Sequence, residues 1–215
     1  MEVGIELIQL GRLRLKVLVN DIYKVKDMGL DITAVSKLEP VDLPEGIELW
    51  SDEYYDWEDE QVSSVWNLHP HSYFEEQFQG LKEGPHIYLG PSYGHRAGSY
   101  SGYNQWRDWL ARAAYGKRIE DVWEDIDTGG YGGPFAELVN FPDNEGIIGP
   151  VASKKLYRDF VMLEDDIMDE VDSWYLKQHP TNTISLDDFK WFQSKYKDWK
   201  ETFKIASDGG AVFFH

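Results

Sequence analysis

The sequence predicts an α+β protein, β-rich up to about residue 100 and mainly helical over 101–215, with a long helical hairpin in the helical part. Three observations carry this expectation. Segments before residue 100 alternate apolar and polar residues with a period of two, segments after it repeat apolar residues every three to four, and glycine and proline cluster between them. The two regions, 1–100 and 101–215, are expected to form one compact unit. A chain of 215 residues with 42% hydrophobic and 15% aromatic content has enough apolar surface for a substantial core.

The charge balance narrows the partners. Lys and Arg total 21 against 39 Asp and Glu, a net charge of −18, and such a field repels nucleic acid and anionic membranes while attracting a basic protein. With no cysteine, disulfides, thiolate metal sites and cysteine nucleophiles are excluded. The first residues carry Glu2 and Glu6 where a secretory signal carries bases, and they never reach ~18 uninterrupted apolar residues. A cytoplasmic location is expected, with no metal and no cofactor.

Along the chain, RLRLKVLV alternates Leu13, Leu15, Val17 and Val19 with Arg12, Arg14 and Lys16, so residues 3–10 and 12–19 read as a hairpin; a helix over 13–25 competes with it. Residues 38–81 contain twelve acids and no Lys or Arg. Trp50, Tyr54, Tyr55, Trp57 and Trp66 are interleaved with Asp56, Glu58, Asp59 and Glu60, which separates this stretch from an aromatic-poor disordered tail. Two readings stay open: rings in the core with acids facing water, or aromatic anchors rimmed by carboxylates that bind a basic partner. His69 and His71 flank Pro70 in an HPH turn that lacks a third ligand nearby and reads as solvated.

Residues 86–89 are expected to form a short buried strand between glycine- and proline-rich breaks. Residues 93–104 then read as a polar, glycine-rich loop before a helix in which Trp106, Leu110 and Ala113 share one face and Arg107 another. Ser101 or Asn104 is the expected cap. The spacing fits neither the Walker pattern nor GxGxxG. His95 would be a general acid/base, Arg96 would hold an anionic group, and Ser99, Ser101, Tyr103 and Asn104 would orient it, with Asp143, Glu145 or His215 completing the set. Gly98, Gly102 and Ser99 equally suit a purely structural loop.

Further on, residues 118–126 read as a short helix and Pro134 as the start of another. FPDNEGIIGP fits an EF-hand loop at four positions but lacks the first carboxylate and the final glutamate, so it reads as a structural turn. A long helix is predicted over 151–176. A second, capped by Ser185, carries Phe189, Phe192, Tyr196, Trp199 and Phe203 along one face, and together they form the expected hairpin. The terminal AVFFH reads as a short strand or docked tail.

The blocks RAGSYSGYNQWRDWLARAAYG, GPFAELVNFPDNEGIIGP and SDGGAVFFH resemble signature blocks of a family of uncharacterised bacterial and phage proteins. The resemblance covers 93–215. It implies a bacterial or phage setting and three blocks that converge in space; no activity or site residue is carried over. Two functions follow from the residues: an acidic module of the immunity or phage-inhibitor type that binds a basic protein, or a ligand or catalytic pocket around residues 95–104.

Overall fold

β1 (Leu30–Val35) buries Leu30, Ile32 and Ala34 on one face and turns Asp31 and Thr33 to the other, the alternation that a strand covered mainly on one side requires. This is a computed structural model that describes residues 29–60, 65–71, 73–127, 132–142, 144–178 and 186–215. The predicted hairpin over 3–19, the Ser185 cap and Asp143 lie outside the described residues.

After β1 come β2 (Leu38–Pro40), helix α1 (Asp52–Glu60), β3 (Trp66–Leu68), a 3-10 turn (Glu75–Phe78), β4 (Gly84–Tyr88) and β5 (Ser92–Gly98). The second half runs α2 (Tyr100–Tyr115), α3 (Ile119–Asp127), α4 (Ala136–Val139), β6 (Gly146–Ile148), α5 (Pro150–Met162), α6 (Glu164–Gln178), α7 (Leu186–Ala206) and β7 (Ala211–Phe214). The fold is α+β. One antiparallel sheet has the order β5-β1-β7-β6 and a smaller one β2-β4-β3.

The terminal AVFFH is therefore an interior strand, pairing Ile32 with Phe214 on one side and Ile147 with Phe213 on the other. Gly210 admits it: a side chain there would overlap the carbonyl of Val35. Strands from either side of residue 100 share this sheet. Its first face carries Leu30, Ile32, Val212 and Phe214 into a core with Trp106, Tyr196, Trp199 and Phe203, all essentially without solvent exposure. Each such side chain contributes roughly 1.5–3 kcal/mol by leaving water. The opposite face carries Val35, Ile147, Ala211 and Phe213 against Leu68 and Phe78, so the small sheet and the 3-10 turn cover one end of it.

Three expectations about helices change. The helix predicted over 151–176 is two, broken at Leu163; Glu164, Asp165 and Asp166 form the acidic first turn of α6, where the helix dipole favours them. The break redirects the chain, so α5 packs on α7 while α6 packs on α2, and α7 itself lies across β1, β5 and β7. The expected pairing of the two helical stretches is kept between α5 and α7, within a layer of helices over the sheet. The helix expected from Pro134 starts only at Ala136, because the N–H of Phe135 donates to Asp159 Oδ2 at 2.9 Å and its buried ring is held against Phe160. The strand expected at 86–89 runs over Gly84–Tyr88 and is buried only at its first three residues, with Tyr88 and Leu89 exposed.

Candidate functional site

Residues 93–98, expected in a loop, lie within strand β5. Gly94 and Gly98 do not interrupt it because β1 supplies its hydrogen-bonding partner. Alternation then separates two residues that a shared pocket would need together. His95 faces α7, where its ring meets Trp199 edge-on at 5.1 Å, while Arg96 lies on the opposite face with its guanidinium where a side chain on Gly29 would sit. His95 Nδ1 lies 3.1 Å from Thr202 Oγ1. The Thr202 hydroxyl donates its one proton to the Asp198 carbonyl at 2.8 Å, so Nδ1 is the donor and Nε2 the bare acceptor. Nε2 is buried with no hydrogen-bond partner. Burial pushes the imidazole pKa down to about 4, against the pull of nearby Asp198. Half-buried and desolvated, the ring is engaged in packing on Trp199 and in its contact with Thr202.

The other polar residues of this stretch have local tasks. Ser99, rather than Ser101 or Asn104, caps α2 by accepting the Gly102 N–H at 3.1 Å. Ser101 Oγ is 3.1 Å from Ser99 Oγ, and Asn104 accepts a hydrogen bond from Arg107. Tyr103 is fully buried. Arg107, expected on a different face from Trp106 and Leu110, is also buried: it donates to the carbonyls of Val139 and Phe141 and lies 4.4 Å over the Tyr103 ring. The buried cation thereby ties α2 to the turn before β6.

Glu145 and His215 do come together. Between them and the small sheet lies a cleft of about 280 Å³. Trp66, Asn67, His69 and His71 form one side of it, and Glu145, Gly146 and Ile147 a second. Its floor comes from β7, with Phe213 and His215. The Trp66 ring lies 4.3 Å from Phe213 and 6.1 Å from His215. His215 Nε2 lies 3.2 Å from Thr33 Oγ1, and partial burial lowers its pKa while Asp31 opposes the shift. His71 Nδ1 accepts the N–H of Tyr73 at 3.2 Å. Among the described residues no three His, Asp or Glu side chains are placed to hold a metal ion.

The acidic helix borders this cleft. Asn67 accepts from the Tyr54 hydroxyl and donates to Glu58, and the Trp50 ring stands 6.3 Å from His69. Ser51 caps α1 by accepting the Tyr54 N–H at 3.2 Å. Of the residues expected to contact a partner, Tyr54 is fully buried and Trp66 is half-buried against Phe213, so neither is a surface anchor. Trp50, Trp57 and Glu58 are half-buried, whereas Tyr55, Asp56, Asp59 and Glu60 are exposed. Asn67, His69, His71 and Phe213 had no place in the predicted site. The HPH turn was the available signal, and the pairing of β6 with β7 brings Glu145 and His215 to the same cleft. The chain matches no family model, no curated protein and no solved structure. No helix among the described residues is long and apolar enough to cross a membrane.

Proposed function

We propose that this chain is a protein-binding module of the immunity or phage-inhibitor type, working in the cytoplasm, whose α1 surface engages a basic partner. One observation carries the reading. Asp52, Glu53, Asp56, Asp59 and Glu60 are exposed around Tyr55, itself 50% exposed, and among the described residues no ion pair neutralises any of them. Hydrogen bonds from its own backbone N–H and from Ser51 lower the pKa of Glu53. Such a surface speeds the approach of a cationic protein and fixes its orientation, while an exposed tyrosine supplies contact area at low entropic cost. The alternative pocket around residues 95–104 loses support because its members face opposite sides of β5 or are committed within α2.

The test is capture from a lysate of the encoding organism, or of its host, at ~50 mM salt, where surface charge is weakly screened. Wild-type protein is expected to retain a basic protein that elutes as salt is raised. A variant carrying Asp56→Lys, Glu58→Lys, Asp59→Lys and Glu60→Lys is expected to lose it. Identical retained proteins from both would sink the reading.

A further inference from the structure

We infer that the cleft beside α1 is a site for a side-chain cation, best an arginine guanidinium, presented by the partner that α1 attracts. The source of the cation rests on the function proposed above; the chemistry rests on the cleft alone. Among the described residues no Lys or Arg side chain lines the cleft, and Glu145 supplies the one side-chain carboxylate. Its walls are π surfaces, Trp66 and Phe213 at 4.3 Å with His71 and His215 beside them. A cation gains from a carboxylate and from the negative face of an aromatic ring together, and a planar guanidinium additionally stacks. An anion would meet Glu145 and the field of a chain of net charge −18. The size suits one side chain: about 280 Å³ lies at the small end of ligand cavities. Its position is also apt, since Asn67 on its wall is hydrogen-bonded to Tyr54 and Glu58 of the acidic helix.

The experiment titrates arginine amide, and citrulline amide as its uncharged isostere, into the full chain while the tryptophan indole signals are followed by ¹H–¹⁵N NMR. The Trp66 signal is identified by its loss in Trp66→Phe. Arginine amide is expected to shift it saturably, with citrulline amide at least ~10-fold weaker, a difference of about 1.4 kcal/mol. Glu145→Gln is expected to weaken arginine amide by ~10-fold, and a variant carrying only Asp56→Lys, Asp59→Lys and Glu60→Lys, which keeps the Asn67–Glu58 hydrogen bond, to change it by less than ~3-fold at ~150 mM salt. A Trp66 signal that does not move, equal binding of citrulline amide, or an unchanged affinity in Glu145→Gln would each overturn the inference. Saturable arginine binding with no captured partner would refute the proposed function alone; a captured partner that leaves the Trp66 signal in place would refute the cleft alone.

Discussion

The ring of Phe213 sits 4.3 Å from that of Trp66, and through this pair the strand β7 becomes the floor of the cleft beside the acidic helix. Phe213 is 6% exposed and packs with Val35, Leu68 and Ile147 between the two sheets. Phe213→Ala is expected to lower stability by about 3–4 kcal/mol, the cost of lost transfer energy plus the void left behind. Urea denaturation measures it. Because the void opens into the cleft, the variant should also bind arginine amide more weakly; a loss below about 1 kcal/mol would mean that the sheets do not close on this ring.

His95 sets a pH dependence of folding. Its folded pKa is about 4, whereas an unfolded imidazole titrates near ~6.5, so between these values the unfolded chain binds more protons. The contribution is complete above ~6.5 and is lost as pH falls toward 4, amounting to up to about 3 kcal/mol. In His95→Phe the slope of stability against pH in this window should flatten relative to wild type, while carboxylate titration below it remains. Urea midpoints at pH 7, 6 and 5 decide the matter, and parallel slopes for the two proteins would contradict the desolvated, neutral state.

Arg107 is 3% exposed and donates to two backbone carbonyls at the end of α4. Arg107→Met keeps much of the volume but leaves the carbonyls of Val139 and Phe141 without this donor. The Val139 carbonyl keeps the Trp123 indole N–H at 3.0 Å, so a loss of about 1–3 kcal/mol is expected, chiefly from the Phe141 carbonyl left unsatisfied. Hydrogen exchange should rise first in the segment around Phe141 and β6. A variant as stable as wild type would show that these carbonyls find other donors.

Much of the architecture was legible because it depended on local pattern. The apolar stripe through Phe192, Tyr196, Trp199 and Phe203 is α7, and all four residues are buried as the helical period requires. Residues 93–98 were not legible. Two glycines and several polar side chains in YGHRAG read as a loop, and only pairing with β1 makes the segment a strand. The same limit hid the site: Glu145 and His215 are brought together by β6 pairing with β7, a contact across more than sixty residues of chain. His71 reads as solvated in sequence because its neighbour Phe141, through Phe74, comes from a distant turn. The break at Leu163 was written in three consecutive acids, but the continuing apolar period across it concealed the change of direction.

Asn67 holds α1 to the cleft by accepting from Tyr54 and donating to Glu58. Burial, and then the charge of Glu58, pushes the Tyr54 phenol up to about 12, so it remains a donor at every pH where the protein is studied. Asn67→Asp keeps the acceptor for Tyr54 but replaces the donor to Glu58 with a second carboxylate. Two adjacent carboxylates cannot both ionise at low cost, so a shared proton restores the contact in acid. The variant is therefore expected to lose about 1–3 kcal/mol relative to wild type at pH 7, and to recover most of that difference near pH 4.5. Hydrogen exchange of the α1 amides should follow the same course, fast at pH 7 and close to wild type in acid after correction for intrinsic rates. Asn67→Leu, which loses both hydrogen bonds, should be destabilised at both pH values. A deficit in Asn67→Asp that does not change with pH would rule out the Asn67–Glu58 contact as the tie between helix and cleft.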